Sequence, residues 1–187
     1  MHYHRVLVAS VEPVDMEVLG AACDAVERYF QAVCYIEDPL AVPESAYDPH
    51  RGQYRSDVIL GYLRLLIPKN VEKLIAITEL DLFVPGLNFV FGQAALNGQE
   101  AVVSVARLRP EFYGQTPNTP LFLTRVRKEV IHEMGHLYGL DHCPDRSCVM
   151  TFSNSIVDVD AKGEDFCPRC RALLEERLKI PPASGAP

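Results

Sequence analysis

Residues 132–143 read His132-Glu133-Met134-Gly135-His136-Leu137-Tyr138-Gly139-Leu140-Asp141-His142-Cys143, and the spacing of these histidines about one glycine constrains the backbone. Residues four apart on a helix share a face, so His132 and His136 can reach one metal ion from successive turns. A third nitrogen for the same ion must come from chain that has left the helix. Gly139 is placed to end it, because glycine enters the left-handed conformation at little cost, and the bend brings His142 back. Three neutral imidazoles leave one tetrahedral position open, which separates a catalytic zinc from a closed structural one. Glu133, next to the first histidine, is the candidate general base. The short pattern His-Glu-x-x-His recurs by chance in unrelated helices, whereas the longer form with the glycine and the third histidine is far more specific.

Four cysteines follow in two close pairs, Cys143 with Cys148 and Cys167 with Cys170, separated by a turn containing Met150. This spacing favours a second, closed zinc site made wholly of thiolates. Two disulfides are the competing reading, and lone buried thiols a third. The latter suits Cys23 and Cys34, which have no partner pattern. In an extended chain adjacent side chains point oppositely, so His142 is expected to face one metal and Cys143 the other.

Working outward, the periodicity predicts a strand over 5–11, a helix over 13–30, a short strand over 33–36 and a proline-rich surface loop over 37–53. Ser56 is expected to cap a second helix that Pro68 stops. A central strand over 73–78 follows. A hairpin pairs 88–95 with 100–106 about Asn97-Gly98, a dipeptide suited to a tight turn. Thr119 and Pro120 are placed as N-cap and first residue of the active-site helix, over about 120–138. No internal repeat or dividing linker is visible, so residues 1–180 are expected to form one domain and 181–187 a disordered tail.

The 187 residues suffice for a sizeable core. A hydrophobic share of 48% and a charged share of 23% belong to a globular chain rather than a fibrous or disordered one. The formal net charge of -7 argues against a nucleic-acid surface. Two zinc ions on four thiolates would leave that charge unchanged. The basic cluster Arg125, Arg127 and Lys128 is expected to be a solvated helix face. Residues 1–6 show no charged leader followed by an apolar stretch, and no run reaches membrane-spanning length; a cytoplasmic protein without a membrane partner is the expectation, with its thiols reduced.

The histidine run together with Cys143, Cys148, Met150, Cys167 and Cys170 closely resembles the archaemetzincins, a branch of the metzincin metallopeptidases. The resemblance is residue by residue over about 119–170, and the upstream order of helices and strands is similar as well. It implies an α/β (α+β) fold: a compact metzincin-like domain with a mixed twisted sheet, an edge strand beside the cleft, two helices in the N-terminal half, an active-site helix and a cysteine-rich C-terminal segment held by zinc. It further implies two zinc ions per chain. His132, His136 and His142 would ligate the catalytic ion, with Glu133 as general base and acid and Met150 as the Met-turn residue packed beneath. Cys143, Cys148, Cys167 and Cys170 would hold the structural ion. Some metzincins carry a tyrosine shortly after the Met-turn methionine; this chain has Phe152 there.

The function expected is hydrolysis of peptide bonds in an extended peptide or protein substrate, with the strand over 88–95 available to pair with it. A zinc-stabilised peptide-binding module with little or no turnover is the alternative, and hydrolysis of a non-peptide amide a third reading. The intact Glu133 favours the enzyme.

Overall fold

The computed structural model describes residues 3–179. The chain runs β1 (His4–Ser10), α1 (Met16–Phe30), β2 (Ala32–Ile36), β3 (Tyr47–Asp48), β4 (Gln53–Arg55), α2 (Ser56–Leu66), β5 (Lys73–Thr78), β6 (Leu82–Phe83), β7 (Gly92–Ala94), β8 (Glu100–Ser104), α3 (Thr119–Leu137), α4 (Ile156–Ala161) and α5 (Pro168–Leu178). The expected tail over 181–187 lies outside the described residues.

The main sheet has the order β2-β1-β5-β8-β7. Its first four strands are parallel and β7 returns antiparallel to β8, so the sheet is mixed and β7 is an edge. Continuous apolar runs such as Leu74-Ile75-Ala76-Ile77 suit parallel strands covered on both faces. Successive residues divide between two cores. Val6, Val8, Ile75, Ile77 and Val103 pack towards α1 and α3, and Leu7, Leu74, Ala76 and Val102 pack towards Ile59, Leu60 and Leu63 of α2. That alternation is the period-two geometry of a strand.

Several expectations change in detail. Part of the loop over 37–53 forms a second small sheet, β3-β4-β6, whose two- and three-residue strands are too short to show periodicity. It has a purpose for the cleft: the Arg51 guanidinium donates to the carbonyls of Leu87 and Asn88 at 3.0 and 2.8 Å, and Gln53 Nε2 donates to Asn88 O at 3.0 Å. Ser56 does not cap α2. It opens the helix buried, and its hydroxyl donates to Gln93 Oε1 at 2.6 Å, with Phe83 O a further 3.2 Å neighbour. The cap of α3 is Asn118 rather than Thr119; Asn118 Oδ1 accepts from Leu121 N at 3.1 Å. The hairpin forms about Asn97, at φ +55°, but its strands are shorter than the apolar pattern.

The basic cluster is not a solvated face. Arg125 is 3% exposed and Lys128 8%. Arg125 reaches both oxygens of Asp160 at 2.7 Å and donates to Leu108 O at 2.9 Å. Lys128 donates to the carbonyls of Val159 and Asp160, and Arg127 pairs with Glu164 at 3.1 Å. These cations bind the segment after the cysteine pair to α3, using the unsatisfied carbonyls at the end of α4.

Cys23 and Cys34 are also not lone thiols. They join α1 to β2 in a disulfide, with Cα atoms 5.6 Å apart. Gln31, at φ 49°, closes the helix between them, and it is this turn, invisible as cysteine spacing, that brings the two together. No helix among the described residues is long and apolar enough to cross a membrane.

Closing a loop of this size removes about 2–3 kcal/mol of unfolded-state entropy. Cys23→Ser/Cys34→Ser should therefore melt several degrees lower, and the metal-stripped, denatured, unreduced wild-type chain should titrate four thiols; six would remove the disulfide.

Candidate metal centre

Helix α3 carries His132 and His136 on one face and stops where the glycine requires. Gly139 lies at φ +81°; its N–H donates to His136 O at 2.9 Å, and Leu140 N donates to Gly135 O at 3.0 Å. This is a left-handed helix ending, and it sends the chain back past the helix so that His142 rejoins the other two rings. The ligand atoms of His132, His136 and His142 lie within 4.8 Å of one another.

The two helical rings are oriented by hydrogen bonds. His132 Nδ1 donates to Val149 O at 2.8 Å and His136 Nδ1 donates to Leu140 O at 2.6 Å. Occupying Nδ1 with the proton leaves Nε2 bare, the form that binds metal. The Nε2 atoms stand 3.1 Å apart. A tetrahedral ion with metal–nitrogen bonds near ~2.05 Å has an edge of about 3.3 Å, so this donor set fits zinc. Burial first, then the positive charge of Lys162, holds the His132 imidazole well below its ordinary pKa. Burial lowers His136 and His142 as well. Each shift favours the neutral imidazole that metal binding requires.

The thiols of Cys143, Cys148, Cys167 and Cys170 likewise lie within 4.8 Å of one another. Cys143 Sγ and Cys167 Sγ are 3.8 Å apart, the edge of about 3.8 Å that a tetrahedron with ~2.3 Å zinc–sulfur bonds requires. Cys148 Sγ accepts from Cys167 N at 3.3 Å, and Cys167 Sγ accepts from Cys170 N at 3.5 Å, at the start of α5. The latter bond leads the causes that lower the Cys167 thiol pKa. Neighbouring His142 and Cys143 join different clusters. Cys143 N donates to Met150 O at 2.9 Å, and the Met150 thioether packs under α3 where a Cβ at Gly135 would overlap Sδ.

The histidines open into a cleft of about 210 Å³ shared with Glu133, Phe89, Phe91, Gly92 and Phe152. Glu133 is 5% exposed. Burial, with Glu129 reinforcing it and Lys162 opposing, pushes its carboxyl up to about 8. Phe152, two residues after Met150, is half exposed and packs edge-on to the His142 ring at 5.1 Å.

Sequence reasoning missed Glu129 and Lys162. Glu129 precedes Glu133 by four residues and shares its face, a spacing that could have flagged it. Lys162 comes from beyond α4 and gives no local signal. The two pair at 2.9 Å with side chains 4% and 1% exposed. Glu129 Oε1 has no partner at hydrogen-bond angles, so the contact is chiefly coulombic. Breaking such a pair strands a buried charge. Lys162→Met should cost about 3–5 kcal/mol in urea unfolding, and adding Glu129→Leu should recover most of it.

The sequence model of peptidase family M54 matches residues 39–176. An archaemetzincin of Methanocaldococcus jannaschii is 42% identical over 173 residues, 92% of this chain and 94% of the relative. The crystal structure of an archaemetzincin from Methanopyrus kandleri superposes with a TM-score of 0.83 at 42% identity, covering 96% of this chain and 97% of that one. A structure described as a zinc-dependent peptidase from Methanocorpusculum labreanum gives 0.81 at 27% identity, covering 91% and 99%.

Proposed function

The chain belongs to the archaemetzincin family of zinc-dependent peptidases, peptidase family M54, and from that membership and the geometry we propose that it hydrolyses peptide bonds at a metzincin-type three-histidine zinc site. The observation that carries the reading is the convergence of the His132, His136 and His142 ligand atoms beside the buried carboxyl of Glu133. His132, His136 and His142 hold the catalytic zinc, and Cys143, Cys148, Cys167 and Cys170 a structural one, two ions per chain. Met150 supports the first site by packing.

When bound, the catalytic zinc supplies a Lewis acid that polarises the scissile carbonyl and brings the pKa of the attacking water towards ~7. Glu133 takes the proton from that water and passes it to the leaving amine. Its buried setting keeps the proton competent for return near neutral pH. The substrate lies extended, its backbone pairing with the free edge of β7, while Phe89, Phe91 and Phe152 give the cleft apolar surface for a side chain and exclude water. We read residues 1–180 as one peptidase domain working in the cytoplasm on peptides rather than nucleic acid or membrane; the Cys23–Cys34 disulfide is the feature that pulls against that location.

Phe152 favours a second reading, a zinc-stabilised peptide binder with little turnover, because no phenol stands there to assist the transition state. Metal analysis followed by cleavage of a peptide library separates the two. The peptidase should carry two zinc ions and cleave; Glu133→Gln should keep both ions and lose roughly 10²–10⁴-fold in kcat. Two ions without cleavage of any peptide would leave the binder. Cys167→Ser/Cys170→Ser should weaken zinc at the histidines as well as lower stability, through Cys143 and its bond to Met150; undiminished affinity there would uncouple the sites.

A further inference from the structure

The Glu133 carboxyl makes no hydrogen bond to any described residue, although its side chain is buried and the reaction proposed for it needs a defined position. What it does have is β7. A Cβ built on Gly92 would stand 2.7 Å from Glu133 Oε1, 2.8 Å from Cγ and 2.9 Å from Cδ. Carbon atoms in good contact sit about 3.5–4.0 Å apart, so the strand backbone fits against the whole outer half of this side chain only because residue 92 has no side chain of its own.

Glycine inside a strand costs stability and packs nothing, and the backbone of Gly92 does not demand it. The glycines at positive φ are Gly52, Gly86, Gly114 and Gly139, not Gly92. Close approach is what remains to account for it. Retreat of the strand is opposed from three directions. Gly92 pairs with Val103 of β8, the neighbouring Gln93 is held by the Ser56 hydroxyl at 2.6 Å, and the hairpin turn is bound to the end of α3 by Asn97 N donating to His136 O at 2.8 Å.

We propose that Gly92 is a positioning residue whose bare backbone packs against Glu133 and selects the rotamer in which that carboxyl faces the cleft. The edge strand thereby has two tasks at adjoining residues, seating the general base with one surface and offering its free edge to the peptide. This rests on the catalytic reading of Glu133 given above, and the test is arranged so that the two can fail separately.

The test is a double-mutant cycle on the zinc-loaded protein: Gly92→Ala, Glu133→Ala and both together, with melting temperature and bound zinc measured for each. In the Glu133→Ala background the atoms that the new methyl would strike are gone. Gly92→Ala should therefore lower Tm by about 5 °C in the wild type and by little or nothing beside Glu133→Ala, with zinc retained throughout. In cleavage assays Gly92→Ala should reduce kcat by roughly 100-fold with KM changed far less. If Gly92→Ala alone fails to fold, a folded double variant supports the proposal and an unfolded one overturns it. Equal Tm losses in the two backgrounds overturn it, as does wild-type kcat in Gly92→Ala. Should the wild type cleave nothing, the melting cycle still decides the packing claim.

Discussion

The hydrogen bond from His132 Nδ1 to Val149 O, 2.8 Å long, is the join between the histidine cluster and the cysteine cluster. On one side it fixes the ring that begins the histidine set. On the other it anchors the segment between Cys148 and Met150, whose neighbouring bonds carry the constraint onward: Val149 N to Asp165 O at 2.9 Å and Cys143 N to Met150 O at 2.9 Å. A ligand cluster on the helix and a ligand cluster on the tail are therefore one mechanical unit. With zinc on the four thiolates, as proposed, a short C-terminal segment would do what a larger subdomain would otherwise do, because thiolate ligation fixes chain at high energy per residue.

Around that unit the helix α3 is unusual in burying charge. Arg125, Lys128, Glu129, His132 and Glu133 are all under 9% exposed. Four of the five have partners: Arg125 and Lys128 satisfy carbonyls and Asp160, Glu129 meets Lys162, and the His132 imidazole is bonded through Nδ1; Glu133 instead opens on the cleft. Buried ions are tolerated when paired and bonded. The cations lie on the segment nearer the start of α3 and hold α4, leaving the later turns to form the cleft.

How much of this could be read from the chain follows from the range of the interactions. The convergence of His132, His136 and His142, the left-handed Gly139 and the central strand over 73–78 are local consequences of local residues, and they stand where the pattern put them. The clustering of the four cysteines also followed from paired spacing. The capping role given to Ser56 failed because a buried hydroxyl had better partners across the sheet, and Thr119 lost the cap to the neighbouring Asn118, whose amide oxygen reaches Leu121 N. The solvated-face reading of Arg125 and Lys128 failed because composition cannot show that α4 will lie across them. The Cys23–Cys34 pairing, Lys162 beside Glu129 and the Gly92 approach to Glu133 all join residues distant in sequence or set by a turn, and single-chain periodicity carries no information about such partners.

The tip of the β7–β8 hairpin is, in most proteins, a place where chains lengthen freely. Here Lys73 Nζ donates at once to Gly98 O at 2.5 Å and to Leu137 O at 3.0 Å, while Asn97 N takes His136 O. The turn thus serves as the lid on the last carbonyls of α3, the helix that carries His132 and His136. Sequence drift that adds or deletes a residue between 95 and 99 would unseat that lid, so this exposed-looking bend is closed to the length variation that surface turns usually enjoy.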